Sequence, residues 1–261
     1  DTDQKIQDNG DLVLENIKGD ISFRGVFFAY NRDQWVLKDI NFDIEAEKTL
    51  SVVGETGAGK TSVTNVLNRF YDIQKGSINI DGYSIEDVKL TSLRKQIAFV
   101  QQEVFLFSDS IFNNITLYDE HISIQRVEDA AKQIGIHDFI NSLPGGYNYS
   151  VGERGITLST GQRQLIAFLR VYVRNPKILI LDEATSSIDT ETEQLLQNAL
   201  EKLAINRTLI IIAHRLSTIR NADKILLFQD GKIIEQGTHN YLMQKKGVYQ
   251  RMYSTQQFIN K

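Results

Sequence analysis

The chain has 261 residues, 41% hydrophobic and 24% charged, with a formal net charge of -4. That is an ordinary globular composition, enough for one large domain or for one domain carrying an inserted subdomain. The absence of cysteine excludes disulfides, thiolate metal sites and a thiol nucleophile, and the weak acidity gives no support for nucleic-acid binding. No apolar run approaches the roughly 18 residues of a membrane span; residues 178–181 and 209–213 are strand-sized.

Residues 1–19 are polar and aperiodic and read as a linker or loose arm; the start at Asp1 without Met suggests an excised fragment. Residues 21–30 and 36–44 alternate as strands of a small antiparallel sheet. Residues 50–53 form a short buried strand, and 61–70 a helix with Val63, Val66, Leu67 and Phe70 on one face. Further strands are expected at 77–82 and 97–100. From Glu103 to about Thr157 the character is helical, with Val127, Ala130, Ala131 and Ile134 on one stripe before Pro144-Gly145-Gly146 breaks the pattern. A helix over 162–174 turns Leu165, Ile166, Leu169 and Val173 inward. Then come a strand at 177–181, a helix at 192–203, a strand at 208–213 and a hairpin around Asp230-Gly231, with Thr238 capping a closing helix. Apolar strands alternating with helices predict an α/β fold: a mixed or parallel core sheet, an N-terminal antiparallel subdomain and a helical subdomain inserted at about 103–174.

Between the 50–53 strand and the 61–70 helix lies Gly54-Glu55-Thr56-Gly57-Ala58-Gly59-Lys60-Thr61, which fits the phosphate-loop pattern at every fixed position. Glycines let backbone N–H groups converge on phosphate oxygens, and a helix N-terminus adds positive potential. Lys60 is expected to reach the β- and γ-phosphates and the Thr61 hydroxyl to ligate Mg²⁺. Asp182 and Glu183 end a buried strand, where open α/β sheets bind ligands. Asp182 suits a magnesium partner, and Glu183 suits a base toward water. The bland alternatives are a glycine-rich turn with a surface lysine and a strand ending in solvated acids; both lose weight when the two features share one chain. His214, Gln102 and Tyr30 taken alone are ambiguous between structural and functional roles.

Leu158-Ser159-Thr160-Gly161-Gln162-Arg163-Gln164 resembles the signature of the ATP-binding cassette (ABC) ATPases, and it lies between the phosphate loop and the Asp182-Glu183 strand, as in that family. The P-loop NTPase fold is implied. Tyr30 is similar to the adenine-stacking aromatic, Gln102 to the Q-loop glutamine, Ser186-Ser187-Ile188-Asp189 to the D-loop, and His214 to the switch histidine. Val151-Gly152-Glu153-Arg154-Gly155 resembles a segment of exporter ATPase domains that touches membrane domains, which makes residues 1–20 the linker to a transmembrane domain and 21–261 the ATPase domain.

The resemblance implies ATP and Mg²⁺ as cofactors, and a second nucleotide-binding domain, head to tail, together with the transmembrane domain as partners. The setting is the cytoplasmic face of a membrane. Tyr30, Gly54, Glu55, Thr56, Gly57, Ala58, Gly59, Lys60, Thr61 and Ser62 would bind the nucleotide in cis, and Ser159, Gly161 and Gln162 in trans. Thr61, Gln102 and Asp182 would hold the metal, and Glu183, His214, Lys60 and Gln102 would serve catalysis. Thr160 departs from the family's usual glycine: it adds a Cβ and hydroxyl near phosphate and restricts the backbone to negative φ. Either it is a tolerated variant in a homodimer, or the partner is a different subunit and the two sites are unequal. Alternatives are a non-transport ABC ATPase of DNA repair or translation, which would carry a coiled coil, a zinc site or a second cassette, a non-hydrolysing regulatory module, which would lack Glu183 or His214, and an importer's stand-alone ATPase, which the Glu153 segment and the start without Met disfavour.

Overall fold

The computed structural model describes residues 6, 8, 10–31, 34–182, 188–213 and 216–259. Alternating apolar residues build the first sheet: β1 (Ile21–Phe28) and β2 (Leu37–Ile44) pair antiparallel, with Phe23 opposite Phe42 and their rings stacked at 4.4 Å. β3 (Thr49–Gly54) and α1 (Lys60–Leu67) follow, separated by the glycine loop. β4 (Lys75–Ile80) takes the other edge of β1 and turns into β5 (Tyr83–Ser84), giving the order β2-β1-β4-β5. The chain then runs through α2 (Leu90–Gln96) and β6 (Ile97–Val100) to α3 (Ile111–Thr116), α4 (Ile124–Ile134), α5 (His137–Ser142) and α6 (Thr160–Arg174). It continues through β7 (Ile178–Asp182), α7 (Thr190–Ala204), β8 (Thr208–Ile212), α8 (Leu216–Asn221), β9 (Lys224–Gln229), β10 (Lys232–Gly237), α9 (His239–Lys245) and α10 (Val248–Ile259).

The second sheet has the order β10-β9-β3-β8-β7-β6. β3 pairs parallel with both β8 and β9, and β7 pairs parallel with β8, while β10 runs antiparallel to β9. Continuous apolar runs suit strands covered on both faces, and every residue of β8 is buried. Phe23, Phe28, Ile40 and Ile78 of the first sheet share one core with Leu50, Val52, Ile180, Ile210 and Phe228 of the second. This is the mixed-sheet P-loop NTPase fold that the sequence predicts.

The chain separates into two compact units, residues 1–99, 177–183 and 206–261 in one and residues 100–176 and 184–205 in the other. The helical unit buries Val127, Ala130, Ala131 and Ile134 of α4 together with Leu165, Ile166, Leu169 and Val173 of α6, the stripes expected from periodicity. It also takes α7, beyond the 103–174 stretch, through Leu196, Ala199 and Leu203.

Two expectations need correction. The first helix stops at Leu67 rather than 70: Asn68 Nδ2 turns back to donate to Thr64 O, Arg69 takes a positive φ of 49°, and Phe70 is left 40% exposed. The described part of the N-terminal arm is not loose. Leu12 bridges Val88, Leu14 N donates to Ser92 Oγ at 2.8 Å, and Leu14 and Ile17 enter the core.

Candidate functional site

β3 delivers the chain to the loop through Gly54, at φ 148°, where a Cβ would stand 2.3 Å from Phe228 O of β9. Only glycine permits that approach. Gly57 at φ 83° and Gly59 at φ 103° turn the loop, and Gly59 caps α1 without any side-chain hydrogen bond. The first N–H groups of a helix have no intrahelical partner, so a helix begun without a capping side chain keeps them for an anion. Glu55 and Thr56 form the exposed arch of the loop, and Ala58 is buried. Behind the loop the β9–β10 turn supplies support: Gly231 N donates to Ala58 O at 3.2 Å and Gly231 O accepts from Lys38 N at 2.8 Å.

Lys60 is 7% exposed, and its ammonium donates to Gly54 O and Glu55 O, each at 2.8 Å. Burial lowers its pKa, and the Asp182 carboxylate works against that shift. The lysine therefore holds the loop's own carbonyls with a desolvated cation, ready to exchange them for phosphate oxygens. Thr61 is exposed at the second position of α1, and Asp182 ends β7. A hydroxyl and a carboxylate are the hard oxygen donors that Mg²⁺ takes, usually one or two from protein with the rest from substrate and water. No group of three or more His, Cys, Asp or Glu side chains able to hold a metal occurs among the described residues. Ser62 is buried, with its Oγ 3.1 Å from the Tyr30 hydroxyl, and the Tyr30 ring is 44% exposed.

Glu183, His214, Ser186 and Ser187 lie outside the described residues. Asp189 caps α7, its Oδ1 accepting from Thr192 N at 2.8 Å.

In the helical unit, Gln102 is exposed. Ser159 and Gln162 form a reciprocal capping box at the start of α6: Ser159 Oγ accepts from Gln162 N at 3.2 Å, and Gln162 Oε1 accepts from Ser159 N at 3.0 Å. A Cβ on Gly161 would stand 2.4 Å from Thr192 Cγ2, so α6 and α7 meet there at glycine distance. Thr160 is the first residue of α6, where a helical, negative φ is required in any case, so the expected backbone restriction costs nothing. Its hydroxyl accepts from Arg163 Nη2 at 3.1 Å, and Arg163 Nη1 reaches Leu158 O at 2.7 Å. The support that Asn65, Tyr71, Arg163 and Gly231 give these loops comes from tertiary contacts, which local sequence does not show.

The ABC transporter family profile matches residues 37–186. The chain is 48% identical over 248 residues, 94% of its length, to an ATP-dependent lipid A-core flippase of Yersinia pestis bv. Antiqua. It is 46% identical over 258 residues to the flippase of the same name from Escherichia coli K12. It spans 43% and 44% of those two relatives' lengths. The solved structure of a bacterial Atm1-family ABC exporter with ATP bound superposes with a TM-score of 0.87 at 42% identity, over 95% of this chain and 44% of that one. With a loop built for phosphate in place and these likenesses spread over nearly its whole length, the chain belongs to the ABC transporter family and carries that family's ATP-binding ATPase domain.

Proposed function

We propose that the chain powers an exporter or flippase, binding Mg²⁺-ATP at the 54–62 loop and hydrolysing it. The observation that carries this reading is the pairing of an α1 start free of side-chain caps with a buried Lys60 ammonium. Backbone N–H groups and Lys60 bind the β- and γ-phosphates. Thr61 and Asp182 would hold the Mg²⁺, and the ion would neutralise phosphate charge. Tyr30 receives the adenine ring. Glu183 accepts a proton from water as its oxygen bonds to the γ-phosphorus; the bond from that phosphorus to the bridging oxygen breaks, and ADP and phosphate leave. His214 orients the γ-phosphate. Ser159, Gly161 and Gln162 complete the site of a second nucleotide-binding domain, with Ser159 donating its O–H, which the capping bond leaves available.

Residues 1–20 join the chain to a membrane domain, and the whole protein works at the cytoplasmic face. Among the described residues no helix is long and apolar enough to cross a membrane. In the helical unit a groove of about 850 Å³ is lined by Gln102, Phe105, Glu153, Ile156, Thr160 and Arg163. Phe105 is 54% and Ile156 80% exposed, and we assign this groove to a cytoplasmic segment of the membrane domain. The relatives' name suggests a lipid as the transported substrate.

Glu183→Gln tests the reading. ATP binding should persist while turnover falls by about 100-fold or more, the scale of lost general-base catalysis. An unchanged turnover rate rules out Glu183 as the base.

A further inference from the structure

We infer that Tyr71 and Asn65 fix the orientation in which the chain receives a purine base, acting through Tyr30; this rests on the proposed role of Tyr30 as the stacking partner. An aromatic side chain that is 44% exposed would ordinarily exchange rotamers freely. Tyr30 is instead held at its tip and against its ring. Its hydroxyl accepts from Asn65 Nδ2 at 3.0 Å and lies 3.1 Å from Ser62 Oγ. Its ring meets Phe28 at 4.7 Å and Tyr71 at 5.0 Å, with interplanar angles of 81° and 88°. Both neighbours stand nearly perpendicular to it, so they brace the ring by edge-to-face contact without stacking on it.

The braces are themselves anchored. Phe28 is 1% exposed at the end of β1. Ser62 and Asn65 stand three residues apart on one face of α1, the helix whose first turn faces the phosphate loop. One rigid helix therefore sets the spacing between the triphosphate donors and the aromatic platform. Tyr71 sits in the turn after α1, between Arg69 and Asp72, which pair at 3.0 Å. Arg69 is buried and also donates to Ile85 O and Glu86 O at 3.2 Å, pinning that turn to the segment that follows β5. Tyr71 and Asn65 are positioning residues, expected to matter for the base and not for the phosphates.

Titration calorimetry of the chain with Mg²⁺-ATP and, separately, with inorganic tripolyphosphate separates these contributions. Tyr71→Ala should weaken ATP binding by about 3- to 10-fold, the range of one aromatic pair, and leave tripolyphosphate binding unchanged. Tyr71→Phe should restore the ATP value, Asn65→Ala should weaken ATP binding only, and the Tyr30→Ala/Tyr71→Ala double variant should bind ATP no worse than Tyr30→Ala. Equal losses for ATP and tripolyphosphate in Tyr71→Ala would mean general damage and overturn the inference. Unchanged ATP affinity in Tyr71→Ala, with a loss in Tyr30→Ala, overturns the inference and leaves the stacking role of Tyr30 standing. Unchanged affinity in Tyr30→Ala removes both.

Discussion

Two helices of this chain begin at residues assigned to phosphate, and they begin differently. α1 starts from Gly59, a left-handed residue with no side chain to offer, and the Lys60 ammonium holds the loop's own carbonyls. α6 starts from Ser159, whose hydroxyl takes the N–H of Gln162 while the Gln162 side chain takes the N–H of Ser159. The first arrangement gives its opening N–H groups no side-chain partner and sets a buried cation beside them; the second satisfies the N–H groups of Ser159 and Gln162 with its own side chains. The difference fits the proposed division of labour. A loop that holds nucleotide in its own chain keeps its donors uncapped at all times. A signature that meets phosphate only when a second domain arrives has to remain folded while it waits.

The contrast is broken most directly by Lys60→Ala. Removing a buried charged donor should lower ATP affinity on the order of 100-fold by calorimetry, with the fold retained. Unchanged affinity would leave the open helix start sufficient by itself. Ser159→Ala comes next. It should cost about 1 kcal/mol in urea denaturation through loss of the cap, without weakening binding of ATP to this chain's own loop. A matching loss of ATP affinity would show that α6 serves the cis site.

The smallest effect is a pH dependence. The pKa of Lys60 is lowered by burial, so between its folded value and 10.5 the unfolded chain binds more protons and the contribution of Lys60 to stability rises with pH. ATP affinity should fall over the same window as the ammonium is lost. The stability of wild type relative to Lys60→Met should therefore rise there while ATP affinity drops. Nothing comparable is expected at the start of α6, where neither Ser159 nor Gln162 titrates.

Much of the architecture was legible because strand runs such as 178–181 and 209–212 are apolar and β-branched, which leaves few other ways to bury them. The hairpin at Asp230-Gly231 and the Thr238 cap followed from local backbone chemistry, and both occur, with Asp230 at φ 50° and Thr238 accepting from Tyr241 N. What escaped depends on distant partners. α2, α3 and α5 have six or seven residues, too few for a period to show. The end of α1 is decided by Arg69, whose guanidinium seeks carbonyls at 85–88, and the N-terminal arm is ordered by Ser92 and Val88. At the site, the loop glycines, Lys60 and Thr61 were legible from spacing, whereas the bracing of Tyr30 by Asn65 and Tyr71 was not, because an exposed tyrosine carries no local sign of what holds it.

The central position of β3 governs when the protein becomes competent during its own synthesis. Its two hydrogen-bonding neighbours, β8 and β9, are both made after residue 207, and the turn that backs Ala58 comes later still. At about 5–20 residues per second, the strand that feeds the loop waits on the order of ten seconds or more on the ribosome with both edges unpaired. The nascent chain is then an apolar ribbon open to wrong partners. Nucleotide capture therefore waits until β9 and Gly231 have been made, and a ribosome stalled before residue 229 presents a complete phosphate-loop sequence on a chain that lacks the partners which shape it.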